Sequence, residues 1–416
     1  MNNITKGMVE SIQIATEELQ KIAKDTGVLL VFFGACLIYP VLYGFIYKNE
    51  TYSELPIAVV NQSPSILSRD LIRKMDGTPE LNVRYRVPEM QEAERLFAQG
   101  KVLGVVCVPN SFTSDLEAGL QTHVQGYCNM ASMMYYRCFY AGFNYACLEV
   151  NKNIKISKQI SVGMTQRQAE TLSEPVLSQG HALYNPTSGF ASFLIPAVLV
   201  LLLQQTLVLG VGMMAGTARE ENPEHHLIPK NRKYHKVQRV IWGKAMAYLL
   251  IYTFLSVYDL VLMPYLFKLP HLLSVETLVA FLIPYLLASV FFSMACSVFF
   301  WNRETPLLLY LCTSVPLIFI SGLSWPGTHI HPFWQYLSYL FPSTFGINGF
   351  VQLNTMGASV SQAAPALLAL WVQAGLYFLF TFFGYKILIG RSERKALSKL
   401  VATDLHGGQD VSVEPI

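Results

Sequence analysis

Six stretches constrain this chain more than any other feature, each apolar for about 20 residues or more: 28–47, 188–216, 245–267, 277–301, 306–325 and 363–384. A bilayer's hydrocarbon core is about 30 Å thick, and a helix needs about 20 residues to cross it. No charged side chain lies between Asp25 and Lys48, and 188–216 is charge-free throughout. A tight turn carrying Arg303 and Glu304 separates the fourth stretch from the fifth. Only 14% of the residues are charged, against about 25% in a typical soluble chain. The deficit is local: 49–185 holds 12 basic and 13 acidic residues, whereas 188–390 holds 10 and 6. This is the pattern of a membrane protein with one soluble insertion, and it excludes a soluble enzyme or a disordered chain. A net charge of +3 leaves no surplus to neutralise phosphates, so nucleic acid is not an expected partner.

Lysine and arginine in short loops mark the cytoplasmic side. Arg219, Lys230, Arg232, Lys233, Lys236, Arg239 and Lys244 lie between the second and third stretches, and Lys386, Arg391, Arg394, Lys395 and Lys399 follow the sixth. By contrast, 326–362 has no charged residue. The asymmetry predicts a multi-pass protein of the inner (plasma) membrane with both termini cytoplasmic and 49–187 outside. A cleavable signal peptide would have a shorter apolar core, of about 7–15 residues. The leader also carries Glu10, Glu17, Glu18 and Asp25, so the first span, 28–48, is expected to be retained. Within 1–27, Ile4, Met8, Ile12, Ala15, Leu19 and Ile22 recur at helical spacing. Such a stripe suits a helix lying on the cytoplasmic interface or one packed on the protein's own body.

The segment 49–187 alternates between strand and helix patterns. Leu55-Pro-Ile-Ala-Val-Val-Asn61 reads as a strand, and Ser63-Pro64 opens a helix to about Met75. Residues 81–86 and 101–108 read as further strands flanking a helix at 88–99, and 120–128 as a fourth strand. This order predicts a small extracytoplasmic α/β domain. From about Ala131 the chain reads helical to Ser173. Inserting the apolar part of that stretch as a span would turn the basic loop outward, so a long helix leading back to the membrane is expected instead. Cys107, Cys128, Cys138 and Cys147 fall in this segment, where an oxidising compartment would permit disulfides in three connectivities; buried free thiols are the preferred reading.

The chain lacks the phosphate-binding G-x-x-x-x-G-K-[ST] loop, G-x-S-x-G, H-E-x-x-H and paired intramembrane carboxylates. Leu405-His-Gly-Gly-Gln-Asp410 has a chance likeness to the signature of ABC ATPases, with no ATPase domain around it. His225, His226, His235, His329 and His331 lie in loops and read as solvated rather than as metal ligands. Catalytic, cofactor and metal sites are therefore all expected to be absent. Asp259 is the one charge well inside a span, where a carboxylate costs about 2.5–3.5 kcal/mol on insertion scales and usually faces a cavity or the bundle interior. Gln204 and Gln205 read first as interhelical hydrogen-bond partners and second as pathway residues.

Several stretches together resemble the permease subunit of type-2 ABC exporters, in the drug- or lipid-export branch with a large external domain. Leu55–Asn61 with Ser68-Arg69-Asp70-Leu71 looks like the family's first external strand and helix. Glu92-Ala-Glu-Arg-Leu-Phe-Ala-Gln-Gly100, then Val105-Val-Cys-Val-Pro109 and Phe112-Thr-Ser-Asp-Leu116 with Gly119, resembles its next external run. Ser321-Gly322, Trp325-Pro326, Pro332, Pro342-Ser343-Thr344 and Gly349 resemble its hallmark between the fifth and sixth spans. The likeness covers nearly the whole chain in one order.

It implies a membrane all-α bundle of six transmembrane helices, with an extracytoplasmic α/β domain inserted between helices 1 and 2. The leader would be an elbow helix, 188–390 would hold the remaining spans, and 391–416 would be a cytoplasmic tail. The implied function is an export pathway for a hydrophobic or amphipathic substrate such as a drug or lipid. ATP would be hydrolysed by a separate ABC ATPase subunit, with no cofactor in this chain. The implied partners are that ATPase, a second permease in a homodimer or heterodimer, membrane lipids, and a periplasmic adaptor with an outer-membrane channel. The loop 216–244 would dock on the ATPase through Arg219, Glu220 and Glu221. It keeps the family's start at Gly216-Thr-Ala-Arg-Glu-Glu-Asn222 but then departs, and Pro223 would end or kink a coupling helix. Trp325 precedes, and Pro326 and Pro342 belong to, the aromatic, charge-free segment 326–362, which fits short re-entrant helices forming a gate, or an aromatic belt that only anchors the protein. The altered loop also leaves room for a non-transport receptor or assembly factor that binds through the external domain.

Overall fold

The computed structural model describes residues 3–48, 52–177, 180–185, 189–221, 237–322, 325 and 327–407. They form two units, a helical one from Met1–Glu50 and Ala182–Ile416 and a mixed one from Thr51–His181.

In the helical unit, α1 spans Asn3–Lys24 and α2 spans Thr26–Ile46. In the mixed unit, strands β1 (Leu55–Asn61), β2 (Leu81–Val87), β3 (Gly104–Val108) and β4 (Gln125–Cys128) form one sheet in the order β2-β1-β3-β4. β1 pairs in parallel with β2 and β3, and β4 closes the sheet antiparallel to β3. Parallel pairing buries both faces of the central strand, which is why β1 is a near-continuous apolar run rather than an alternating one. Helices α3 (Ile66–Asp76), α4 (Met90–Ala98) and α5 (Phe112–Glu117) connect the strands. The chain continues through α6 (Met133–Ser161) and α7 (Gln166–Ser173).

The single helix expected over 131–173 is therefore two. Gly163 sits at φ +96°, and the Thr165 side chain caps the second helix through a reciprocal bond with Gln168. A glycine in the left-handed region followed by a capping box is a stop and a restart. All seven cysteines are unbridged.

The helical unit resumes with α8 (Phe190–Glu221), α9 (Val237–Leu266), α10 (Val275–Ser297) and α11 (Thr305–Ile320). Short helices α12 (Pro332–Ser338) and α13 (Pro342–Phe350) precede the long α14 (Ala364–Gly407). Among the described residues five helices are long and apolar enough to cross a membrane: α2, α8, α9, α10 and the Ala364–Leu388 part of α14. The expected fifth span, 306–325, is the shorter α11, whose 16 residues rise only about 24 Å.

Within its most apolar window α8 is 89% buried, against 22% for α2 and 33% for Ala364–Leu388. A helix that is apolar all round belongs inside a bundle, and α8 is the hub here. The others turn Leu30, Ile38, Phe45, Leu308, Leu311, Leu368 and Leu376 outward, as lipid-facing surface requires. Two glycines set the closest approaches to the hub. A Cβ at Gly210 would stand 1.9 Å from the Phe32 ring, and one at Gly216 would stand 2.6 Å from the backbone of Arg303. Small residues at helix crossings allow this proximity.

The helices also redraw the loop expected at 216–244. α8 runs on to Glu221 and α9 begins at Val237, so Arg219, Glu220, Arg239 and Lys244 sit on helical turns rather than in a solvated loop. The rest of that loop, including Pro223, His225, His226 and His235, lies outside the described residues, as does Pro326.

Candidate functional site

Three consecutive residues of α8 tie the bundle together. Successive side chains on a helix point about 100° apart, so Gln204, Gln205 and Thr206 reach three directions. The Ser343 N–H of α13 donates to Gln204 Oε1 at 2.5 Å. That N–H belongs to the first turn of a helix and has no intrahelical acceptor, so Gln204 acts as a cap supplied from another helix. Gln205 Nε2 donates to Thr313 Oγ1 of α11 at 3.1 Å. Thr206 Oγ1 accepts from Tyr252 Oη of α9 at 3.0 Å and lies 3.3 Å from Cys36 Sγ of α2. The first reading of Gln204 and Gln205, as interhelical partners, matches this geometry.

Helix α13 is held deep in the bundle. Pro342 is its buried first residue, and a Cβ at Gly346 would stand 2.6 Å from the Tyr285 ring. Tyr285 Oη donates to Val200 O of α8 at 2.5 Å. Thr344 Oγ1 donates to Ser338 O at 2.7 Å and Gln373 Nε2 donates to Tyr339 O at 2.7 Å, which fastens α12 and α13 to each other and to α14. Beyond α13, Asn354 Nδ2 donates to Pro270 O at 3.1 Å and Leu272 N donates to Asn354 O at 3.0 Å. Trp325 stands apart from this buried framework, 58% exposed.

Asp259 is fully buried on α9, in a wide π-type turn over Tyr258–Leu262. Neither carboxylate oxygen has a hydrogen-bond partner among the described residues, and Ser256 Oγ one turn earlier has none either. Cys36, Tyr252 and Tyr285 lie within electrostatic reach of it. π-Turns recur at functional sites because the inserted residue frees backbone groups and re-aims side chains. An uncompensated carboxylate at membrane depth has the same implication.

A polar knot closes one end of the bundle. Arg303 grips Asp25 with both terminal nitrogens, at 2.6 and 2.7 Å, and reaches Thr217 Oγ1 at 2.9 Å. The Arg303 backbone N–H donates to Glu220 Oε1 at 2.9 Å. Asp25 Oδ1 also accepts from the N–H groups of Gly27 and Val28, so one carboxylate caps α2 and holds the 302–304 turn. The guanidinium hydrogen bonds hold the Asp25 carboxyl below the usual carboxylate range, and the same contact raises Arg303. Arg219 is buried beside this knot. It lies 5.1 Å from the Trp301 ring centroid and donates through Nη2 to Val298 O at 3.2 Å, while its Nε and Nη1 find no partner among the described residues. Glu221 is exposed, within electrostatic reach of Arg303.

At the same end of α9 the leader docks through charge. Glu18 Oε1 accepts from Tyr248 Oη at 2.6 Å and from Lys244 Nζ at 3.3 Å, all three groups being buried. Arg239 Nη1 donates to Glu10 Oε2 at 2.5 Å. Burial pushes the Glu18 carboxyl up, but Lys244 and Tyr248 outweigh it, and the net shift is downward. Of the two readings of the leader, packing on the protein's own body holds for Ile14, Ala15, Glu18 and Ile22, whereas Met8 and Ile12 remain 62% and 50% exposed.

In the sequence, Asp25, Arg303, Glu18 and Lys244 register only as charges that mark span ends, the leader and the cytoplasmic side, and nothing singles out Thr206 or Tyr252. One signal was present for Glu18, which falls three residues after Ala15 and four before Ile22, on the apolar stripe itself.

The described residues contain no cluster of three or more His, Cys, Asp or Glu able to hold a metal ion. What the arrangement offers is a helical hub linked by hydrogen bonds to α9, α11 and α13.

Comparison with known proteins places this architecture. The family described as ABC-2 family transporter protein matches the chain over residues 27–383. Linearmycin resistance permease protein LnrN of Bacillus subtilis (strain 168) is 28% identical over 112 residues, which is 27% of this chain. That similarity spans 29% of the relative's own length. The chain belongs to the ABC-2 family of transporter proteins.

Proposed function

We propose that this permease forms the export pathway for a hydrophobic or amphipathic substrate, driven by a separate ABC ATPase subunit. The observation that carries the reading is the path from the Asp25–Arg303–Glu220 knot along α8 to Gln204, Gln205 and Thr206. A force applied at the α8 terminus reaches α9, α11 and α13 through one rigid helix whose cross-links are single hydrogen bonds. Arg219, Glu220 and Glu221 sit at that terminus, where an ATPase would bear on the chain. This reading puts the knot and both termini in the cytoplasm, and the mixed unit 51–181 outside the inner membrane. The pathway then runs beside Asp259, Gln204 and Gln205, and Trp325, Pro326 and Pro342 frame a gate built on α12 and α13. Two permeases, identical or different, would enclose the pathway, and the mixed unit would meet an adaptor leading to an outer-membrane channel.

The test is reconstitution with the ATPase that co-purifies with the chain, followed by export of a fluorescent amphiphile. Arg219→Ala, Glu220→Ala and Glu221→Ala together should uncouple hydrolysis from export. Failure of any ATPase to co-purify, or export unchanged by the triple variant, would overturn the reading.

A further inference from the structure

The helical unit contains an open cleft of about 1220 Å³ whose walls include Val41 and Phe45 of α2 and Met263 and Leu266 of α9. Phe267 stands edge-on to Phe45 with ring centroids 5.5 Å apart, so one wall is aromatic. The volume exceeds the roughly 300–1,000 Å³ of a typical small-ligand site. Two cations interrupt this apolar lining. Lys48 and Lys268 both line the cleft and both are exposed. Among the described residues neither ammonium takes part in any of the protein's ion pairs.

Lys268 is held there against its backbone preference. It adopts φ +56°, in the left-handed region. Its N–H donates to Tyr265 O at 3.3 Å, and Leu269 N–H donates to Pro264 O at 2.9 Å. These two bonds close α9 with a Schellman cap, and Lys268 occupies the position that glycine fills without strain. A long cationic side chain thus stands at a strained position facing an apolar cleft. Non-glycine residues kept in this region concentrate at ligand-binding sites.

An apolar cleft with two ammonium groups that form no ion pair among the described residues matches one ligand chemistry, hydrocarbon joined to an anion. We propose that the cleft is a binding site for a phospholipid of net negative charge, with its headgroup phosphate held by Lys48 and Lys268 and its acyl chains along the Phe45–Phe267 wall. Binding there requires neither the ATPase nor a transported cargo, so the site stands independently of the export reading.

The test uses the full chain purified in detergent and titrated with phosphatidylglycerol or phosphatidylcholine mixed micelles, with retained lipid counted by native mass spectrometry. Phosphatidylglycerol should be retained in preference to phosphatidylcholine. Lys48→Gln and Lys268→Gly should each weaken its retention about fivefold, the factor that corresponds to about 1 kcal/mol per lysine near an anionic lipid surface. Lys268→Arg should preserve binding, and Leu266→Gln should weaken it through the wall. Lys268→Gly relieves the cap, so its thermal unfolding should match or exceed that of the parent chain, which separates lost binding from lost fold. Equal retention of both lipids, or retention unchanged in both lysine variants, would overturn the proposal. So would full protection by inorganic phosphate alone with Leu266→Gln silent, because the occupant would then be a free anion.

Discussion

The Glu18–Lys244–Tyr248 triad offers the sharpest test of how the leader is held. Glu18 is 3% exposed and Lys244 is 8% exposed at the side chain, so neither charge is rescued by water when its partner is removed. Glu18→Gln keeps an acceptor for Tyr248 Oη but strands the Lys244 ammonium, and removing one member of a buried pair costs about 3–5 kcal/mol. Replacing both charges by apolar residues of similar volume, Glu18→Leu with Lys244→Met, should recover most of that loss, because the desolvation of two ions is removed together with their attraction. The cycle is read from thermal unfolding of the detergent-solubilised chain and from proteolytic release of α1. Glu18→Gln and Lys244→Met alone should each expose the leader, while the double variant should hold it. Acid should act in the same direction. The Glu18 carboxyl lies below its usual range in the folded chain, so its contribution is complete above the unfolded pKa of about 4.3 and disappears as pH falls through the lower folded value. A double variant as damaging as either single one, or a Glu18→Gln chain indistinguishable from the parent, would refute the reasoning.

Three further outcomes follow from the geometry. Gly210→Ala places a Cβ 1.9 Å from the Phe32 ring and should destabilise the bundle by about 1–3 kcal/mol, with Phe32→Leu restoring part of the loss in a thermal-shift series. Asp259→Asn removes a buried carboxylate that has no hydrogen-bond partner among the described residues; it should raise thermal stability and, on the proposed pathway, lower export, and unaltered export would remove Asp259 from that pathway. Burial pushes the Cys147 thiol up to about 11, so alkylation of the folded chain at this site should be slow at pH 8 and rise by about tenfold per pH unit towards that value, as peptide mapping after timed labelling would show.

Much of the secondary structure was legible because its signals are local. The apolar run Leu55–Asn61 coincides with β1, and the charge-free stretches coincide with helices α2, α8 and α10. The break at Gly163 was missed because a glycine inside a helical pattern announces itself only through its positive φ. Lys244 and Arg239 read as loop charges because a basic cluster marks a membrane side without saying where the helix begins. The candidate site was legible in its residue types at Gln204, Gln205 and Asp259, and illegible in its partners. Arg303 meets Asp25 across 278 positions, and Lys244 meets Glu18 across 226. No periodicity spans such distances.

The sequence by itself determined that the chain enters a membrane, where its long apolar helices fall, and that a mixed α/β segment interrupts them. It does so because hydrocarbon thickness and side-chain period act on neighbouring residues. Only the tertiary structure decided that α8 is the hub, that the leader folds back onto α9, and that Lys268 faces an apolar cleft in a strained cap. Those outcomes depend on which faces meet after the helices assemble, when burial leaves each polar group to find a partner far along the chain or to go without one.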